Sequence, residues 1–266
     1  MRNNSPLAIP IQRIFDSAKG VKTFVFHVSM ESFPGQFVMV WIPGKDEKPF
    51  SISRDKNGEF WLMVADVGPF SHALCSFRPG DTIGIRGPFG KGYSLPKKKN
   101  IVLVGGGYGM APLHNCGVWH LENGNTVTAI TGARSGQNVL FEKECSESGF
   151  RTFVTTDDGS KGERGFVTHI LERLLMKEKI DLVQTCGPEK MMKVIAEMCV
   201  AKSVPCEVSL ERYMKCGFGV CGQCTVDGTG ERMCREGPVQ DGAYALQNFS
   251  DFGKYHRGAE GQKILW

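Results

Sequence analysis

The chain has 266 residues, 41% of them hydrophobic, and 32 basic residues against 28 acidic ones for a net charge of +4. That balance argues against nucleic acid or an anionic membrane as a partner, and no apolar stretch approaches the roughly 20 residues of a membrane-spanning helix. Residues 1–10 carry no apolar core of the kind a signal peptide has, and 10 cysteines without such a leader favour a reducing cytoplasm.

From Ile9 to about Pro96 the pattern is that of strands. Residues 23–28, 36–41 and 59–64 are β-branched or aromatic runs, separated by turns at Phe33-Pro34-Gly35, Asn57-Gly58 and Arg78-Pro79-Gly80-Asp81. They predict a small antiparallel β-barrel, interrupted by one short helix over residues 71–77 with Ser71 as its N-cap. Within it, Lys48-Pro49-Phe50-Ser51 puts a cation and a ring on one face and a hydroxyl on the other. A flavin dinucleotide needs such a mixture, and an ordinary barrel strand can also show it. Gly68-Pro69-Phe70-Ser71 offers a hydroxyl and free amides at a helix start, a natural anion site. The loop Arg86-Gly87-Pro88-Phe89-Gly90 reads as turn chemistry, with Arg86 structural.

After Lys97-Lys98-Lys99-Asn100 the pattern changes, because Ile101-Val102-Leu103-Val104 is a continuous apolar strand running into glycines. Further strands are expected over 126–131, 152–155 and 181–185, with helices over 112–123, 167–178 and 189–202. Strand and helix in alternation predict a doubly wound parallel sheet. Gly105-Gly106-Gly107-Tyr108-Gly109-Met110-Ala111-Pro112 stands where a nucleotide-phosphate loop belongs, with Gly105, Gly107 and Gly109 as its candidate contacts. It is not the strict dinucleotide fingerprint, since the third glycine position falls on Met110 or Pro112. Thr131-Gly132-Ala133-Arg134 and Thr185-Cys186-Gly187-Pro188 fall at the carboxyl ends of parallel strands, where open sheets bind ligands. Asp157 and Asp158, before Gly159, suit a ribose hydroxyl and repel a 2′-phosphate, favouring NAD over NADP; they are also turn formers. No nucleophile triad, H-E-x-x-H run or paired-carboxylate signature is present, the six histidines are isolated, and hydride transfer between nicotinamide and flavin needs no protein acid or base.

Near the C-terminus, Cys216, Cys221 and Cys224 follow the C-x4-C-x2-C order and Cys234 arrives ten residues later. This is the plant-type ferredoxin spacing, giving the four thiolates that a two-iron cluster takes. Gly217, Gly219 and Gly222 let backbone amides turn toward the cluster sulfurs. Zinc is the weaker alternative, because its ribbons usually carry two knuckles where one is seen, and disulfides suit a secreted chain. The other six cysteines, Cys75, Cys116, Cys145, Cys186, Cys199 and Cys206, read as small buried hydrophobes. The expected organisation is therefore α+β in three parts: a barrel over 1–97, an α/β nucleotide domain over 98–205, and a cluster module with an irregular tail over 206–266.

In that order the chain resembles the ferredoxin reductase superfamily, and Ser209-Leu210-Glu211-Arg212-Tyr213-Met214-Lys215-Cys216-Gly217 with Cys234-Arg235-Glu236-Gly237-Pro238-Val239 resembles the electron-transfer subunits of type B dihydroorotate dehydrogenase. The resemblance covers residues 9–239. It implies FAD on Lys48, Pro49, Phe50, Ser51, Met63, Val64, Ala65, Phe70 and Ser71, and a 2Fe-2S cluster on Cys216, Cys221, Cys224 and Cys234. It further implies NAD as acceptor near Gly105, Gly107, Gly109, Asp157, Cys186 and Gly187, and a partner catalytic subunit holding FMN and dihydroorotate, two of each subunit per complex. Family members commonly have arginine at the place of Lys48 and Gly-Thr at that of Phe70-Ser71. Bifurcating relatives tend to replace one cluster cysteine by a carboxylate, whereas all four stand here. The alternatives are a reductase subunit of a bifurcating ferredoxin reductase or hydrogenase, and a nonenzymatic iron-sulfur carrier.

Overall fold

In the computed structural model, which describes residues 3–266, the first seven strands form one antiparallel sheet. They are β1 (Asn3–Pro10), β2 (Arg13–Ala18), β3 (Val21–His27), β4 (Phe37–Ile42), β5 (Asp46–Lys56), β6 (Glu59–Ala65) and β7 (Thr82–Phe89), in the spatial order β1-β7-β4-β5-β6-β3-β2. The sheet rolls around Phe24, Phe26, Val38, Ile52, Phe60 and Ile85, all 1% exposed or less. Alternation along β6, where Phe60, Leu62 and Val64 are buried and Glu59, Trp61 and Met63 are not, is what commits one face of each strand to that core.

The short helix α1 (Pro69–Cys75) starts two residues earlier than the serine suggested, with Gly68 at its N-cap. Pro69 is the physical reason: its fixed φ suits the first helical position, where a missing N–H costs nothing. Ser71 sits inside the first turn, and its Oγ accepts from the amides of Val67 and Gly68 at 3.0 Å each.

The second sheet holds β8 (Asn100–Gly106), β9 (Thr126–Ala133), β10 (Arg151–Thr156), β11 (Glu163–Arg164), β12 (Leu182–Cys186), β13 (Cys206–Ser209) and β14 (Val239–Asp241), ordered β11-β10-β9-β8-β12-β13-β14. Every pairing is parallel except β13 with β14. The helices are α2 (Met110–Glu122), α3 (Glu142–Glu147), α4 (Val167–Lys177) and α5 (Glu189–Ala201). Both faces of β8 are covered: Ile101 and Leu103 pack with Leu113 and Cys116 of α2, and Val102 and Val104 with Ile170 of α4 and Ile195 of α5. That double burial is why β8 reads as an unbroken apolar run. Strand order reverses between β8 and β12, so the glycine turn after β8 and the Cys186-Gly187-Pro188 turn after β12 flank the switch point where such sheets bind ligands.

The tail corrects the expectation of an irregular segment. After β14, which adds an antiparallel edge to β13, come helix α6 (Gly242–Asn248) and a hairpin of β15 (Tyr255–Arg257) and β16 (Lys263–Leu265). The Asp241 carboxylate accepts from the Tyr244 amide at 2.8 Å and caps α6. Three-residue strands are too short to show a period, which is why the sequence hides them. The expected division at residue 205 falls just before β13, a strand of the same sheet.

Candidate functional site

On β5, Lys48 points toward a segment 165 residues away in sequence: its Nζ donates to the Tyr213 hydroxyl at 3.0 Å and lies 4.7 Å from that ring's centroid. Asp46 pairs with the same ammonium at 2.5 Å. Burial pulls the Lys48 ammonium down, but Asp46 and Tyr213 outweigh it and hold its pKa above the ordinary value, so it is a permanent cation. Phe50, on the same face, packs beside Phe70 with ring centroids 6.0 Å apart. Ser51 is exposed. A cation held by Tyr213 and a half-buried ring thus share one face of β5, with an exposed hydroxyl next along the strand on the other face, a donor set that fits a flavin and its pyrophosphate. Val64 is 0% exposed inside the barrel core, so only its backbone is available, whereas Met63 and Ala65 are half-buried. The Ser71 hydroxyl is already engaged by its own helix turn. Tyr213 lies in the run from Ser209 to Gly217 that carries the resemblance, but only the chain crossing from sheet to barrel brings it to Lys48.

At the switch point, β8 runs into a single 3-10 turn, Gly107–Gly109, before α2. Gly107 has φ +55°, a left-handed conformation that a side chain opposes. A Cβ on Gly109 would stand 2.3 Å from the Cys186 carbonyl oxygen, and one on Gly106 2.6 Å from Pro188. The two turns therefore touch through bare backbone. Overpacking of this kind costs about 1–3 kcal/mol, so Gly109→Ala is expected to raise KM for NADH at least about fivefold, measured by steady-state kinetics with an artificial acceptor.

Cys186 is held as a neutral thiol: burial, and then Glu211, push it up to about 12. It serves the turn as packing and does not act as a nucleophile. The Glu211 carboxylate, exposed to solvent, acts by its charge on the Tyr108 hydroxyl and the Cys186 thiol and raises both. At the carboxyl ends of β9 and β10, a cavity of about 460 Å³ is lined by Ser135, Gly136, Gln137, Asp158, Ser160 and Lys161. Asp158 rather than Asp157 lines it, with the carboxylate accepting from the Ser160 hydroxyl at 2.6 Å and its amide at 2.9 Å.

The four cysteines of the terminal loop sort into two couples. The Cys216 sulfur accepts from the amides of Val220 and Cys221 at 3.3 and 3.5 Å, and the Cys224 sulfur from the Cys234 amide at 3.4 Å. Burial pushes the Cys216 thiol up, but the amides of Cys221, Val220 and Phe218 outweigh it and lower it to about 6. The Cys234 thiol lowers Cys224 to about 7, with the Cys234 amide helping and burial opposing. Both are ready to ligate as thiolates near neutral pH. Two couples, one for each of two irons, fit a 2Fe-2S centre. Gly217, Gly219 and Gly222 have φ of +76°, +89° and +71°, which lets the loop turn its amides inward. Cys224 and Cys234 are each 2% exposed, while Cys221 is exposed, as are Phe218 at 40% and Val220 at 77%.

Of the histidines, His256 has a buried Nδ1 without a hydrogen-bond partner. His120 is buried and satisfied by Gln184 at 2.9 Å and Asn125 at 3.0 Å.

A rolled antiparallel sheet, a doubly wound sheet with paired glycine turns, and a loop of coupled thiols together define an oxidoreductase of the ferredoxin-reductase type with its own iron-sulfur module. Residues 103–197 match the oxidoreductase NAD-binding domain, and residues 211–244 match the iron-sulfur cluster binding domain of dihydroorotate dehydrogenase B. A Methanocaldococcus jannaschii protein named "probable dihydroorotate dehydrogenase B (NAD(+)), electron transfer subunit" is 42% identical over 98% of this chain and 99% of its own length. Its namesake in Pyrococcus furiosus is 38% identical over 96% of this chain and 97% of its own. The chain belongs to the family of dihydroorotate dehydrogenase B electron transfer subunits. Among solved structures, the NADH-dependent reduced ferredoxin-NADP oxidoreductase described for flavin-based electron bifurcation is 33% identical, with TM-score 0.82 over 89% of each chain. Phthalate dioxygenase reductase, at 18% identity and TM-score 0.62 over 73% of this chain and 64% of its own, shares the fold.

Proposed function

We propose that this chain carries electrons from dihydroorotate to NAD in pyrimidine biosynthesis, as the FAD- and 2Fe-2S-holding subunit that docks on a separate catalytic subunit containing FMN. The observation that carries the reading is the pair of thiol couples with one exposed edge, joined in one chain to a nucleotide sheet and a flavin-suited barrel edge. The cluster supplies one-electron transfer, and the flavin converts between one-electron and two-electron chemistry.

The residues divide the work. Lys48 offers fixed positive charge to a pyrophosphate, Phe50 and Tyr213 offer rings to an isoalloxazine, and Ser51 offers a hydroxyl to its polar edge. Gly105, Gly107, Gly109, Cys186 and Gly187 form the two backbone turns that NAD lies across. Asp158, with Asp157 beside it, places negative charge where a 2′-phosphate would fall and so selects NAD over NADP. Cys216, Cys221, Cys224 and Cys234 hold the cluster, and Phe218 and Val220, exposed beside Cys221, form the apolar contact for the catalytic subunit. Two copies of each subunit make the complex, in the cytoplasm.

The test is to coexpress the chain with an FMN-containing dihydroorotate oxidase, copurify the two, and assay NAD reduction by dihydroorotate. A copurified complex that reduces no NAD would overturn the reading. The likeness to the ferredoxin-NADP oxidoreductase favours one second reading, a reductase subunit serving ferredoxin. Electron delivery from reduced ferredoxin, with none from dihydroorotate, would select it.

A further inference from the structure

The cluster loop does not float at the surface; its inner side rests on the barrel. A Cβ on Gly217 would lie 2.8 Å from Met39 and 3.3 Å from Phe89, and Met39 is paired in register with Arg86 across β4 and β7. Arg86 is 6% exposed. Its Nε and Nη2 donate to the two carboxylate oxygens of Glu47 at 2.6 and 2.5 Å, and its guanidinium lies 5.4 Å from the Phe89 centroid and 5.5 Å from that of Phe218. Phe218 stands between Cys216 and Cys221 in the loop itself. The remaining nitrogen, Nη1, is buried without a hydrogen-bond partner. A turn residue needs none of this, so the sequence reading of Arg86 as turn chemistry is incomplete.

We propose that the Arg86–Glu47 pair tunes the reduction potential of the iron-sulfur centre, Arg86 favouring the reduced state and Glu47 opposing it. The proposal rests on the reading of the four thiols as a two-iron site. Reduction adds one electron and one negative charge to the centre, with no bond made or broken; the donor, a reduced flavin in turnover or dithionite in a titration, loses that electron. A buried cation against the loop stabilises the added charge, and its carboxylate partner offsets part of that effect. Other cations beside the loop, Arg232 and Arg235 near Gly219 with side chains 36% and 62% exposed and the exposed Lys215 next to Cys216, are screened by water and salt. Arg86 faces the barrel side, in low dielectric, and so weighs more per charge. The pair acts on the thiol loop through the field and through Phe218, which makes both members positioning residues.

The experiment is a potentiometric titration of cluster-loaded protein followed by its electron paramagnetic resonance signal, for the wild type, Arg86→Gln, Glu47→Gln and the double variant. Arg86→Gln is expected to lower the potential and Glu47→Gln to raise it. Each shift corresponds to at least about a threefold change in the reduced-to-oxidised ratio, about 28 mV for one electron, with the double variant between them. A purely structural pair would not move the two single variants in opposite directions. Shifts of one sign, or of less than that size, in variants whose iron and sulfide content equals the wild type's would overturn the proposal. If Arg86→Gln does not load a cluster, Glu47→Gln decides alone: an upward shift supports the proposal and any other result overturns it. A wild type that binds no two-iron cluster would sink the functional reading as well, whereas a loaded but unresponsive cluster sinks the tuning alone.

Discussion

Replacing Cys221 by serine is expected to abolish electron passage from dihydroorotate to NAD in the assembled complex, while NADH oxidation by an artificial acceptor of flavin electrons stays within about twofold of wild type. Loss of a mere supporting residue at a metal site typically costs 10–100-fold in affinity or activity, so loss of a ligand should cost about 100-fold or more. Serine offers a hard oxygen where iron-sulfur chemistry calls for soft thiolate. Cys221 is the proposed ligand to remove because it is exposed, whereas Cys224 and Cys234, each 2% exposed, belong to the apolar core that joins the loop to the sheet. Stopped-flow reduction and steady-state assays on one preparation check both halves. Retention of dihydroorotate-to-NAD transfer would refute a relay through this loop.

The second large effect is on stability. Arg212, four residues before Cys216, donates to Glu189 at 2.5 Å and Asp251 at 3.0 Å, and the three side chains are 2%, 1% and 2% exposed. Glu189 opens α5 directly after the Cys186-Gly187-Pro188 turn, and Asp251 lies in the tail, whose Gly253 amide also donates to Glu189 at 2.9 Å. One guanidinium thus joins the nucleotide turn, the approach to the cluster and the terminal segment. Removing it leaves two carboxylates buried without a cation, and breaking a buried pair from one side costs about 3–5 kcal/mol. Arg212→Gln should lose that much in urea unfolding.

Its pH dependence has a definite sign. Burial pushes the Glu189 carboxyl up and Arg212 pulls it partly back, leaving it above the ordinary 4.5. A carboxyl whose folded value lies above its unfolded one binds its proton more tightly in the fold, so stability falls as pH rises from the unfolded value through the folded one. Without Arg212 the folded value rises further and the falling window widens. The deficit of Arg212→Gln should therefore be smaller at about pH 5 than at about pH 8. An equal deficit at both would show that the carboxylates escape to solvent in the variant.

The residues that act through local backbone shape were readable in advance. The glycines between Cys216 and Cys224, the turn after β8 and the turn after β12 each stand beside a strand or thiol whose spacing names the chemistry. The apolar run of β8 announced a strand buried on both faces. What stayed hidden involves partners far apart in sequence. Tyr213 meets Lys48 across 165 residues, Arg86 meets Phe218, and Arg212 gathers Glu189 and Asp251. In a linear chain nothing about any of these residues names its partner. Ser71 shows a smaller failure of the same kind: a serine at a helix start suggests a cap, yet Pro69 fixes the entry two residues earlier and turns the hydroxyl back on its own turn.

The sequence by itself determined the chemistry this protein can carry, because cysteine spacing, glycine turns and apolar periodicity are set by neighbours a few residues apart. Only the tertiary structure decided how these parts are coupled. It laid the cluster loop on the barrel, brought Tyr213 over the flavin-suited edge, left Cys221 as the exposed thiol, and folded the tail into an added strand, a helix and a hairpin. Those outcomes depend on burial and charge pairing between distant segments, which take effect once the chain has closed on itself and excluded water.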